Sequence, residues 1–189
     1  MIINGLKQRG VNVDILLQSN ITYETPEIIS IQYCIFGTIG DDELDYSGIN
    51  RKYVTTTIDI KQVKRITLTD IIDINKLYDI IIENGFVAND WDSGETVRAD
   101  FLNMPKEDCM ALLRTSDNLQ TVFGMENTGI FSAVHEKSLC IYFQPEFFGK
   151  GPKSEEPKLY ISLENIHKDV KLDYWDTVYK GVTHVEWIG

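Results

Sequence analysis

At 189 residues and 21.7 kDa the chain is long enough to fill one hydrophobic core, and nothing in its composition asks for a second domain. Hydrophobic residues at 43% and aromatics at 11% exclude a disordered chain. Eighteen Lys and Arg against 29 Asp and Glu give a formal charge of −11, a field that repels nucleic-acid phosphates and attracts a cationic partner.

No window approaches the roughly 18 apolar residues of a membrane-spanning helix. The start, Met1 to Gly10, lacks the apolar core of a secretory signal, so the sequence reads either as a protein kept inside the cell or as an exported one without its leader. Cys34, Cys109 and Cys140 are odd in number and widely spaced, without metal-type spacing; all three read as buried structural thiols.

In chain order, residues 2 to 9 read as the last turns of a helix closed by Gly10. Val11, Val13, Ile15 and Leu17 alternate with polar neighbours as a strand that continues towards Tyr23. Pro26 presets a turn, and Ile28 to Phe36 returns as a strand with two largely apolar faces, which predicts a central position. Gly37 to Asn50 is a loop by composition and carries Asp41, Asp42, Glu43 and Asp45. Tyr53 to Ile60 is β-branched at most positions. A polar break at Lys61 to Lys64 and a second run, Arg65 to Leu68, lead to a capping pair at Thr69-Asp70.

Asp73 caps a helix over Ile74 to Asn84, with Gly85 as its stop and Ile74, Leu77, Ile80 and Ile81 on one face. After a polar connection from Phe86, Asn103 caps a second helix whose buried side holds Cys109, Met110, Leu112 and Leu113. Ile130 to His135 and Ser138 to Gln144 form a hairpin across Glu136-Lys137, with Phe131, Leu139, Ile141 and Phe143 as core. Pro145 to Pro157 is a loop, and Leu159, Ile161 and Leu163 make a last alternating strand. The tail from His167 is rich in aromatics, including Tyr174, Trp175, Tyr179 and Trp187. The fold class these elements predict is α+β: an antiparallel β-sheet of hairpins with two helices packed on one face.

Motifs that carry chemistry are scarce. His135, His167 and His184 stand at no metal-ligand spacing from one another or from a cysteine, and His135 reads as the end of a hairpin. There is no nucleophile elbow, no phosphate loop and no dinucleotide fingerprint, and no cofactor is expected. Asp90 to Glu95 has the look of a calcium loop, but the twelfth position from Asp90 is Phe101, where a bidentate Glu is required; Trp91 reads instead as an aromatic on a turn. The acids at 41 to 45 can hold a hard cation, or simply form a solvated loop.

The run Thr57-Ile58-Asp59-Ile60-Lys61, continuing to Arg65-Ile66-Thr67-Leu68-Thr69-Asp70, resembles the central motif of an extracytoplasmic domain of unknown function. That domain is shared by the lysozyme-sensing anti-sigma factor RsiV and the peptidoglycan deacetylase PdaC. Asn20 to Phe36 and Ser138 to Ile166 are similar to the flanking strands of that family, so the resemblance spans about residues 1 to 166 and leaves 167 to 189 as an extension. It implies an α+β binding module outside the cytoplasm that is not an enzyme, with lysozyme as the ligand of the anti-sigma members. The chain departs from the family at Gly40 to Lys52, which is acidic and lacks the usual His and Pro.

Two readings of function follow. In the first the chain is a binding module for a cationic protein such as lysozyme, or for a cell-wall component. Its contacts are then Asp41, Asp42, Glu43, Asp45 and Trp91. In the second it is an enzyme on cell-wall glycan, with a carboxyl pair about 5–10 Å apart. A scaffold domain without a ligand of its own is the plain alternative.

Overall fold

The computed structural model of the chain describes residues 12–40, 50–84, 87–88, 101, 103–118, 129–143, 158–166 and 168–172. Eight strands and four helices are found among them. The first sheet has the order β1-β2-β3-β4, formed by β1 (Asn12–Glu24), β2 (Ile28–Gly40), β3 (Asn50–Asp59) and β4 (Lys64–Ile66). The second has the order β5-β8-β7-β6, from β5 (Val87–Ala88), β6 (Ile130–His135), β7 (Ser138–Phe143) and β8 (Lys158–Ser162). All pairings are antiparallel. The helices are α1 (Leu68–Ile71), α2 (Ile74–Asn84), α3 (Lys106–Arg114) and α4 (Leu163–Ile166).

The α+β class and the hairpin pairing hold, with the hairpins divided between two sheets. The second sheet is the middle layer. Side chains alternate across a strand, and on one face Ile130, Val134, Leu139, Ile141, Phe143, Leu159 and Ile161 join the helix residues Leu77, Ile81, Met110 and Leu113 in the main core. On the other face Phe131, Ala133, Cys140 and Tyr142 pack against Val54, with Tyr33 and Ile35 of the first sheet beside them. Burial on both faces explains why this hairpin is so uniformly apolar in sequence.

Several boundaries move for identifiable reasons. The first hairpin is longer than its alternation suggests. Gly37 pairs with both Ile15 and Asn50, and the ladder runs on to Gly40, so the start of the expected loop is strand, while 41–49 lie outside the described residues. The second run of the central stretch ends at Ile66, short of the expected Leu68. Thr67, not Thr69, is the N-cap of α1, and its N–H and hydroxyl both donate to the Asp70 carboxylate at 2.9 and 2.8 Å. Pro105, not Asn103, precedes α3. Leu163 opens α4 instead of closing β8. Asp73 does cap α2, accepting the N–H groups of Asn75 and Lys76 at 2.9 and 3.3 Å. The expected helix at 2–9 and the aromatic tail beyond Leu172 lie outside the described residues.

The two sheets are joined by side chains at the outer edge of β6. In the β6–β7 hairpin, closed at His135 and Ser138, residues 130, 132 and 134 turn their backbone groups away from β7. Five of these groups find polar partners in Asp117 and the first sheet. The Ile130 carbonyl accepts the N–H of Asp117 at 2.9 Å, and the Ser132 N–H donates to the Asp117 carboxylate at 2.7 Å. Thr55 of β3 donates to the Ser132 carbonyl at 2.5 Å. The Val134 N–H donates to Ser30 of β2 at 3.2 Å, and the Val134 carbonyl accepts from Thr22 of β1 at 2.8 Å. Ser30 and Thr57 share a further bond of 2.8 Å. β6 thus crosses three strands of the first sheet, one hydroxyl at a time.

Asp117 is the centre of this seam. It follows α3 in the left-handed region, with φ of 63°, which a short polar side chain tolerates. Its carboxylate also accepts the Ser132 hydroxyl at 2.7 Å and the first N–H of α1, from Leu68, at 2.8 Å. Burial pushes this carboxyl above the ordinary range, against the pull of Ser132, Leu68 and the Arg65 charge. Replacing Asp117 with Ala strands three buried donors, so Asp117→Ala is expected to cost about 3 kcal/mol in denaturant unfolding, with Ser132→Ala nearer 1 kcal/mol.

Tyr23, buried where β1 meets the main core, supplies a pH prediction. Burial, with the Glu27 charge beside it, pushes its hydroxyl up to about 12. An unfolded tyrosine ionises near 10, so the folded state holds this proton longer. The contribution is complete below about pH 10 and is lost as pH rises towards 12. Ultraviolet titration is expected to show a phenol ionising with the alkaline unfolding transition, absent in Tyr23→Phe.

Candidate binding surface

Asp41, Asp42, Glu43, Asp45 and Trp91 all lie outside the described residues. The structure does fix the points between which the acids hang, because Gly40 ends β2 and Asn50 starts β3. Both lie at the Asn12↔Gly40 end of the first hairpin, whose 13-residue strands span about 40 Å. The opposite end, at Thr22 and Ser30, is the one fastened to β6. The acidic run is therefore attached at the end of the sheet remote from the seam.

The outer strand of this hairpin is open to solvent. Leu16, Leu17, Gln18, Ser19, Asn20 and Ile21 are exposed one after another, with Leu16 and Leu17 at 57% and 59%. Because alternate residues face opposite sides, both faces of β1 are uncovered there.

A second exposed apolar point lies at the β3–β4 turn. Val63 is 87% exposed and has φ of 52°, a left-handed conformation that a β-branched residue resists. Ile60, also exposed, begins the turn and donates its N–H to the Glu27 carbonyl at 2.8 Å. The Gln62 N–H bonds to the buried Asp59 carboxylate at 2.8 Å, and Lys61 pairs with Glu27 at 3.2 Å. These contacts hold Val63 in its strained geometry.

A shallow groove of about 630 Å³ separates α2 from α3, lined by Asn75, Lys106, Glu107, Met110 and Arg114. Lys106 already lies over the Tyr78 ring at 4.7 Å and 3.8 Å from Asp79, so its charge is partly spoken for. Such a mixed, open groove lacks the convergent polar groups of a small-molecule site.

The thiols and histidines of the described residues show no activated arrangement. Cys109 is buried, its Sγ donating to the Phe101 and Met104 carbonyls; burial and the nearby Asp108 charge push the thiol up, away from nucleophilic thiolate. Cys140 is buried and Cys34 half-buried. His135 ends β6 as expected, its ring edge-on to Tyr160 at 6.0 Å. Among the described residues no cluster of His, Cys, Asp or Glu is placed to hold a metal ion, and no helix is long and apolar enough to cross a membrane.

Two antiparallel sheets fastened by a polar seam under a layer of helices define an α+β domain whose described surface offers edges and turns. No protein-family model and no curated protein sequence matches the chain. Its fold is similar to that of a DUF3298 family member from Bacteroides fragilis NCTC 9343, with a TM-score of 0.51 and 12% identity over 89% of this chain and 58% of that one. A DUF3298 family protein from Pseudomonas aeruginosa PAO1 aligns with a TM-score of 0.47 and 13% identity over 84% and 62%. The chain thus spans about three fifths of the length of these structures, and the fold it shares with the Bacteroides fragilis protein is that of a domain of unknown function.

Replacing Val63 with Gly relieves the left-handed strain without removing any packing. Val63→Gly is expected to stabilise the fold by about 1 kcal/mol, read as a rise in thermal midpoint; a drop would mean that the side chain is structural.

Proposed function

We propose that the chain is a non-catalytic binding module of the bacterial cell-envelope type, whose ligand is a strongly basic protein such as lysozyme or a cell-wall component. The observation that carries this reading is the acidity of the chain. Its net charge is −11, and Asp41, Asp42, Glu43 and Asp45 follow one another in sequence between Gly40, the last residue of β2, and Asn50, the first of β3. A negative field speeds encounter with a cationic partner, and a local run of acids orients it on arrival. The resemblance of the central motif to the domain of RsiV and PdaC supports the same ligand class, and the DUF3298 fold of the structural neighbours is compatible with it.

Titration calorimetry against hen-type lysozyme, with cytochrome c as an equally basic control, tests the proposal. The expected result is saturable binding to lysozyme alone at about 0.15 M salt, where the Debye length of about 8 Å screens long-range attraction. Neutralising the run, as Asp41→Asn, Asp42→Asn, Glu43→Gln and Asp45→Asn together, is expected to weaken binding tenfold or more, chiefly through the association rate. Equal, salt-sensitive binding to both basic proteins would reduce the field to nonspecific attraction. Hydrolysis or deacetylation of peptidoglycan by the purified chain would overturn the non-catalytic reading.

A further inference from the structure

We infer that the outer edge of β1 is a self-association surface, on which a second copy of this chain adds its own β1 antiparallel across a two-fold axis at Ser19. The inference starts from how the described sheet edges are managed. An open edge is a template for another strand, and proteins blunt it with charge, shortness, a bulge or a cover. β6 is covered group by group by Asp117, Thr55, Ser30 and Thr22. β4 is three residues long and carries Lys64 and Arg65, and β5 has two residues. β1 is 13 residues long, and from Ile15 to Tyr23 it contains neither a charged residue nor a proline. Its one irregularity, between Ile21 and Tyr23, lies at the far end, and six residues before it are exposed in succession.

Charge selects the occupant. A quarter of the chain is charged and the net is −11, so two copies repel wherever acidic surfaces meet, and a cationic partner finds nothing to pair with between Ile15 and Tyr23 of β1. A neutral strand is where two like-charged copies can approach. The sequence also matches itself across the axis. With Ser19 opposite Ser19, Leu17 stands opposite Ile21, and Gln18 opposite Asn20. The first pairing extends an apolar face across both copies, and the second sets two amide side chains within cross-strand reach. The contact is short, centred on Leu17 to Ile21, because the Thr22 carbonyl already accepts the Glu136 N–H; it falls below the roughly 1,200 Å² of stable interfaces, so the dimer forms reversibly with concentration.

Sedimentation velocity on the full chain at about 0.15 M salt, where surface repulsion is screened, tests this. The weight-average mass is expected to rise with concentration from 21.7 kDa towards twice that value. Ser19→Lys and Ser19→Glu each set like charges against each other at the axis, and each is expected to stay monomeric with unchanged circular dichroism and thermal midpoint. An equimolar mixture of the two places Lys opposite Glu and is expected to associate again. A wild-type mass fixed at 21.7 kDa at every concentration, a dimer that survives both substitutions, or a mixture that stays monomeric would each overturn the inference.

Discussion

The unsatisfied edge of β6 is the constraint on which the other layers depend. A strand buried on both faces has no water to satisfy its outward N–H and C=O groups, and each such group left alone costs about 1–3 kcal/mol. Here the missing ladder is replaced by one carboxylate and three hydroxyls, drawn from α3's end, β3, β2 and β1. Because those partners are spread over the chain, the buried edge of β6 is satisfied only where the first sheet and the end of α3 are both packed against it. The seam therefore couples the two sheets as a ladder would, but across crossing strands. Asp117 extends the coupling to α1 through the Leu68 N–H, so one side chain touches the helix layer and the middle sheet together.

Ion pairs contribute little by comparison. Lys64–Asp70, Lys76–Asp169 and Lys106–Asp79 all involve exposed lysines, and exposed pairs are worth at most about 1 kcal/mol each. The main core, by contrast, closes over Leu77, Leu113, Val134, Leu139, Ile141 and Phe143, none of which is measurably exposed. Burying side chains of this size contributes about 1.5–3 kcal/mol apiece before the entropy of ordering is subtracted. The apolar layers and the seam, not the exposed ion pairs, thus govern the fold.

Much of this architecture was legible in the sequence. Alternation located β1, β2 and β8, and β-branched or apolar runs located β3, β6 and β7, while the two-residue β5 lies in a stretch read as a polar connection; the cap at Asp73 with apolar residues at helical spacing located α2. What sequence reasoning missed is the seam. Asp117 is indistinguishable from an ordinary helix-ending acid, and Ser30, Thr55 and Ser132 from the solvent-facing half of an alternating strand. Their partners across the seam lie between 15 and 104 residues away along the chain, beyond the reach of any local pattern. One signal was present: Ser132 interrupts an otherwise unbroken apolar run from Ile130 to Val134, and a polar residue in a doubly buried strand must have a partner. The shift of α1's start to Thr67 has the same origin, since the tertiary bond from Asp117 to Leu68 adds to the local capping by Asp70.

The same contrast separates what is fastened from what is offered to solvent. One end of the first sheet is bound to β6, and there Thr22, Ser30, Thr55 and Thr57 are buried and spoken for. Away from that seam Leu16 to Ile21 of β1 are exposed and uncharged. Recognition needs groups presented at a fixed place, whereas a reaction centre needs them buried, converged and shielded from water. Among the described residues the Asp117 carboxylate and the hydroxyl seam are converged and shielded, yet each is committed to backbone. In that described part the buried polar chemistry serves to join the two sheets and the helix layer.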